Sequence, residues 1–307
     1  MHLVIPPGPF NDISEFCLPS AGKHWSLGAK ALTLASLVNP IGLGVGAAAL
    51  TVGRMALPVL GQPGKRSVPH VQIRKLQSGG KHAVIVVNGF LSQGDHDTAD
   101  WEKAIRRKFR RATWYHLDWE AGRAPGKQLG DLLTLESLTS PMSPIIRIGA
   151  NGLTAWHGAM LSAERTGVLL AHAIRSTPGW RFTLAGHSLG GRVIHFALKA
   201  LAREKRKRIE NVYLLGAAVG GGAKDDGCWE QAAGAVKGRI FNCYSREDAI
   251  LSRLYRSVNL TLSEPAGYSG INLQHARLFH FDCWRLVDGH LAWKSKFGSI
   301  LEQLKEY

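Results

Sequence analysis

Phe182-Thr-Leu-Ala-Gly-His-Ser-Leu-Gly-Gly191 is the stretch from which the rest of the chain can be read. Phe182 to Ala185 has the apolar and β-branched character of a short buried strand, and Gly186 opens a turn. The residues that follow, through Val193-Ile-His-Phe-Ala-Leu198, continue as an apolar helix. Gly186-x-Ser188-x-Gly190 therefore falls at a strand-to-helix junction, the context that separates a nucleophile elbow from a chance match to a five-residue pattern. The spacing has a chemical reason. A serine on so tight a turn is held with its hydroxyl exposed, and small residues two before and two after it let strand and helix approach closely. The helix also directs its positive N-terminal end at the reacting centre.

Working outward, short β-branched or aromatic runs alternate with helix-like segments on both sides of the elbow. Strands are expected at Ala83 to Val87, Thr113 to Leu117, Arg181 to Ala185, Val212 to Leu215, Arg239 to Tyr244 and Ala276 to Asp282. Helices are expected at Thr98 to Phe109, Pro144 to Arg175, Gly190 to Glu204, Gly227 to Val236, Glu247 to Val258 and from Leu291 to the C-terminus. Ser143-Pro144 suits the start of the longest, with serine as cap and proline at the first helical position. Alternation of this kind implies an α/β fold, and with the elbow an α/β-hydrolase fold: a mostly parallel sheet with helices on both faces.

A serine hydroxyl needs a base, and the base needs a carboxylate to fix its tautomer; in this fold they follow the serine in the order acid, histidine. Asp248, in Ser245-Arg-Glu-Asp248, comes four residues after the expected strand ending at Tyr244, where a loop leaves the sheet's carboxyl edge. Glu247 competes with it directly, and Asp225 and Asp226 from further away. His290, in Asp288-Gly-His-Leu291, occupies the loop after the last strand, whereas His275 and His280 precede or lie on that strand. Most of the 13 histidines have no catalytic duty, and His187 and His195 read as structural. Amide donors for an oxyanion are expected at Leu189, the residue after the nucleophile, and at Phe90 in Asn88-Gly-Phe-Leu91, with Leu91 next in rank.

The 307-residue chain is long enough for one large domain and an appendage. Its 38 basic and 23 acidic side chains leave a net charge of +15, which attracts anionic surfaces without choosing between phospholipid and nucleic acid. Basic clusters stand at 106–111 and 203–208. Four scattered cysteines, Cys17, Cys228, Cys243 and Cys283, lack the spacing of a metal site or disulfide scaffold, so reduced thiols and no cofactor or metal are expected. No charge occurs from Ala31 to Gly53, a length that can span a bilayer, but Asn39-Pro40 breaks it near the middle. It reads equally as one spanning helix, a membrane hairpin, or a helical pair packed on the main domain. Residues 1–65 are thus an apolar helical segment without a cleavable secretory signal, and 66–307 the catalytic domain, with Gly61 to Gly80 as linker.

Beyond the elbow, further stretches carry a resemblance: Val86-Val-Asn-Gly-Phe-Leu-Ser92 with Asp100-Trp101, the helix Ala159 to Leu170, Gly186-His-Ser-Leu-Gly-Gly-Arg-Val-Ile194, Asn211-Val-Tyr-Leu-Leu-Gly-Ala217, Gly238-Arg-Ile-Phe-Asn-Cys-Tyr-Ser-Arg-Glu-Asp248 and Gly289-His-Leu291. Together they cover about Lys81 to Trp293. The chain resembles the α/β-hydrolase-like family catalogued as domain of unknown function 726, whose best-known members are transmembrane and coiled-coil-domain proteins. The resemblance implies a serine-hydrolase core preceded by apolar helices, with the motif residues on Ser188, Asp248 and His290. Ala249 departs from it where an aromatic residue is expected.

These readings converge on a membrane-associated esterase, lipase or thioesterase acting on a lipid or acyl-ester substrate at a membrane surface. A hydrolase-fold membrane tether with an idle triad is the alternative. Nucleic-acid binding has only the charge behind it, since no nucleic-acid module and no interleaving of aromatic with basic residues is present.

Overall fold

The computed structural model describes residues 70–123, 144–259 and 264–306. The expected apolar segment 1–65 lies outside them. Seven strands form one sheet: β1 (Val71–Gln77), β2 (Gly80–Val87), β3 (Ala112–Trp119), β4 (Arg181–His187), β5 (Ile209–Leu215), β6 (Ile240–Tyr244) and β7 (Leu278–Asp282), in the order β1-β3-β2-β4-β5-β6-β7. All neighbours are parallel except β1, which runs antiparallel to β3. The fold is therefore α/β, as expected.

Between the strands run α1 (Ala99–Ile105), α2 (Pro144–Arg175), α3 (Leu189–Leu201), α4 (Asp226–Ala235), α5 (Ala249–Asn259), α6 (Ala266–Ser269) and α7 (Trp293–Gln303). The long helix begins at Pro144 and ends at Arg175, the span read from the sequence. It packs on α3, and α3 on α4, while α1 packs on α7. A cluster of buried side chains lies between α1, α7 and the sheet, including Trp101, Tyr213, Phe241, Trp293 and Phe297. Trp101 meets Phe297 edge-on with ring centroids 5.6 Å apart, and Tyr213 stacks on Phe241 at 5.2 Å. Such large rings drive the layers together because each removes about 150–250 Å² from water.

Burial along the strands follows from this layering. Residues 83–87 of β2 and 182–187 of β4 are buried throughout, as strands covered on both faces are. β1 corrects the linker reading of 61–80. Val71 and Ile73 are buried while Gln72 and Arg74 are exposed, so the segment is an edge strand whose alternation is carried by only two inward side chains. Arg74 and Lys75 obscure that short pattern, and only pairing with β3 reveals it. The short α6 also had no expectation attached to it.

His116 on β3 is 1% exposed, and neither ring nitrogen has a hydrogen-bond partner among the described residues. Burial pushes its pKa down to about 4. The unfolded chain, with an ordinary histidine pKa of about 6.5, binds a proton there that the folded protein refuses. Stability from this group is complete above pH 6.5 and is lost as pH falls towards 4. We expect the unfolding free energy from urea titrations to drop over that window, by on the order of 3 kcal/mol for His116 alone, and His116→Phe to flatten the drop. An equal slope in the variant would remove His116 as its source.

Candidate active site

The site grows from the junction of β4 and α3. Ser188 stands between them with φ 56° and ψ −120°, a left-handed backbone that a non-glycine residue adopts only when its surroundings hold it. Its amide donates to the Leu215 carbonyl at 3.0 Å, and its own carbonyl accepts from the Gly191 and Ala218 amides, each at 3.0 Å. Space is as limiting as torsion. A Cβ on Gly190 would lie 2.3 Å from the Val87 carbonyl oxygen, and one on Gly89 would lie 2.7 Å from the Ser188 Cβ. The helix start and the loop after β2 can close on the serine only because both positions lack a side chain.

Two loops from the same edge of the sheet complete the arrangement. His290, between β7 and α7, places Nε2 3.0 Å from Ser188 Oγ and Nδ1 2.8 Å from Asp248 Oδ2. A carboxylate only accepts, so Nδ1 carries the ring's proton and Nε2 is left to accept from the serine hydroxyl. Asp248, after β6, is fully buried, and both its oxygens have donors: Oδ1 accepts the Leu251 amide at 3.0 Å, and Oδ2 accepts the Trp293 indole N–H at 2.8 Å as well as His290.

The competing residues are elsewhere. Glu247 points to solvent, and Asp226 Oδ2 accepts from Asn272 Nδ2. His275 Nδ1 accepts the Arg277 amide, and His280 Nε2 donates to the Leu273 carbonyl. Trp293 escaped the sequence reading. Nothing marks it there beyond its place three residues after His290, and its seat depends on Gly216, where φ is 54° and a Cβ would lie 2.4 Å from the indole nitrogen.

The two expected amide donors sit in different local settings. Leu189 opens α3, where first-turn amides have no acceptor within the helix. The Gly89 carbonyl accepts from Ser92 Oγ at 2.7 Å, which turns the opposite side of that planar peptide, the Phe90 N–H, the other way. No acceptor takes the Phe90 N–H among the described residues. The Leu91 N–H is already given to the Ala121 carbonyl at 2.8 Å. The Phe90 ring packs edge-on against Trp156 of α2 with centroids 5.0 Å apart.

The basic clusters occupy the other end of the molecule. Residues 106–111 precede β3 and 203–208 precede β5, so both lie at the N-terminal ends of the parallel strands, whereas Ser188 lies at the C-terminal end of β4. Leu291, beside His290, is 59% exposed at the same edge as Ser188. Among the described residues there is no group of side chains arranged to hold a metal ion, and no helix is long and apolar enough to cross a membrane.

Comparison with known proteins adds a family. The family described as "Protein of unknown function (DUF726)" matches residues 132–306. An uncharacterized membrane protein of Schizosaccharomyces pombe is 36% identical over 149 residues, which cover 48% of this chain and 19% of that protein. A transmembrane and coiled-coil domain-containing protein of Oryza sativa subsp. japonica is 30% identical over 246 residues, 72% of this chain and 36% of its own length. The chain thus spans well under half of these relatives. Among solved structures, alpha/beta hydrolase domain-containing protein 10 from mouse aligns over 79% of this chain and 95% of its own, at 12% identity and a TM-score of 0.41.

Replacing Trp293 by phenylalanine keeps the ring in its apolar seat and removes one donor from a buried carboxylate. We expect Trp293→Phe to lower unfolding free energy by about 1.5–3 kcal/mol, the worth of a hydrogen bond to a charged group. Trp284→Phe, at a site 54% exposed, should stay within about 0.5 kcal/mol of the parent. Equal urea midpoints for the two variants would mean that the indole hydrogen bond is idle.

Proposed function

The chain belongs to the DUF726 family, and within it we propose a serine hydrolase that cleaves carboxylic esters or thioesters of lipids through an acyl-enzyme on Ser188. The observation that carries this reading is the unbroken line of hydrogen bonds from Ser188 Oγ through the His290 ring to the Asp248 carboxylate. His290 Nε2 takes the hydroxyl proton as Oγ attacks the acyl carbon, and Asp248 stabilises the imidazolium that forms. The Leu189 and Phe90 amides receive the negative charge developing on the carbonyl oxygen. The imidazolium then protonates the leaving alcohol or thiol, and a water activated by the same nitrogen releases the acid.

The lipid class rests on different grounds. The relatives are named as membrane or transmembrane proteins. The uncharged stretch Ala31 to Gly53 can engage a bilayer, and Leu291 offers an apolar surface next to the site. The basic clusters add nothing to substrate capture, because a headgroup held by them lies at the edge away from Ser188. The idle-tether alternative has one observation in its favour: Ser188 is only 2% exposed, so a substrate must part the loops around it.

A fluorophosphonate probe separates the two readings. We expect covalent labelling of the full chain that is absent in Ser188→Ala, and turnover of short nitrophenyl esters reduced by about 10³-fold or more in both Ser188→Ala and His290→Ala. Wild-type protein that is folded but resists the probe would leave the tether. Turnover surviving in either alanine variant would remove that residue from the mechanism. Mass spectrometry of lipids incubated with wild type beside Ser188→Ala then identifies the acyl donor.

A further inference from the structure

His187 is the last residue of β4 and the covalent neighbour of Ser188. Strand alternation sends its side chain to the same face as Ala185, beneath the loop that carries His290. There its ring lies 4.8 Å from the His290 ring, centroid to centroid, with the planes inclined by 41°. Its Nε2 is 3.0 Å from the backbone carbonyl oxygen of His290. A carbonyl can only accept, so Nε2 carries the proton and donates it. Burial, followed by the proximity of His290 and of Lys294, holds the His187 pKa well below the ordinary histidine value, and the ring stays neutral at physiological pH.

From this geometry we infer that His187 is a positioning residue: its Nε2–H clamps the carbonyl of His290 and so sets where the His290 imidazole stands relative to Ser188. The inference rests on the hydrolase reading for its catalytic consequence, but not for its geometry. Two features make the clamp effective. First, clamp and nucleophile are adjacent in the chain, so the tether fixes His290 to the residue that also positions Ser188 through β4. Second, among the described residues no other donor reaches the His290 carbonyl. Loss of the imidazole therefore leaves a buried carbonyl unpaired, which the loop can relieve only by moving. Motion of the loop carries Nε2 away from Ser188 Oγ, and displacement by even 1 Å is costly to a proton transfer. The neutrality of the clamp matters too. A charged ring at this distance would oppose the imidazolium that His290 becomes when it takes the serine proton.

Two variants of the full chain test this. His187→Gln retains an amide donor near the position of Nε2, whereas His187→Phe fills the space without one. We expect His187→Phe to label with a fluorophosphonate at least about 10-fold more slowly than wild type, with kcat for a nitrophenyl ester falling in parallel and KM unchanged, and His187→Gln to recover most of the rate. A purely structural role predicts instead that both variants lose stability with no such split. Proton NMR gives a readout that does not need turnover: the downfield resonance of the His290 Nδ1 proton bonded to Asp248 should be broadened or lost in His187→Phe and kept in His187→Gln. Wild-type labelling with an unaltered rate in His187→Phe overturns the inference alone. Absence of wild-type labelling overturns the hydrolase reading, and the resonance then decides the clamp: its persistence in His187→Phe sinks it.

Discussion

A carboxylate with no exposure to water, that of Asp248, stands behind the whole candidate site. Oxygens buried in that setting need donors, and three reach Asp248: the Leu251 amide, the His290 ring and the Trp293 indole. Removing one of these donors would cost more than the bond itself contributes, since a buried polar group stripped of its partner keeps the full desolvation penalty. That demand reaches outward. It ties the loop after β6 to the loop after β7 and to the first turn of α7, and it requires Gly216 to leave room for the indole. The orientation of the His290 ring, and with it the acceptor facing Ser188, follows from satisfying the acid.

The second constraint is steric and acts at Ser188. The left-handed serine, the absence of side chains at Gly89 and Gly190, and the hydrogen bonds that Ser188 donates to Leu215 and accepts from Ala218 form one arrangement in which the termini of β2, β4 and β5 meet. Parallel strands make this economical, because every strand of the set ends at the same edge and brings its following loop with it. The same topology gathers the residues before β3 and β5 at the opposite edge, where the basic clusters stand. Among the described residues the basic clusters and the candidate site are thus segregated along the strand direction.

Much of this was legible before any coordinates. The strand–turn–helix context singled out Ser188, the order along the chain pointed to Asp248 and His290, and the Pro144 to Arg175 helix was read to its ends. The Phe90 amide was ranked ahead of Leu91, and the structure gives a reason for the ranking in the hydrogen bond that Leu91 already makes to Ala121. The edge strand β1 reads as a linker in the sequence because two inward side chains beside Arg74 and Lys75 are too few to establish a period. His187 reads as structural in the sequence, since a histidine inside the elbow motif offers no sign of which loop its ring will meet.

What the sequence determined by itself is therefore whatever is written in neighbouring residues: the alternation of strands and helices, the tight turn with its glycines, and the chemical types available for a nucleophile, an acid and a base. Tertiary structure decided what depends on partners distant along the chain. The contact of Ser188 with His290 spans 102 residues, that of His290 with Asp248 spans 42, and that of Trp293 with Asp248 spans 45. The physical reason is that propensity and turn chemistry act over a few residues, whereas the partner of a buried polar group is set by which loops the sheet brings to one edge.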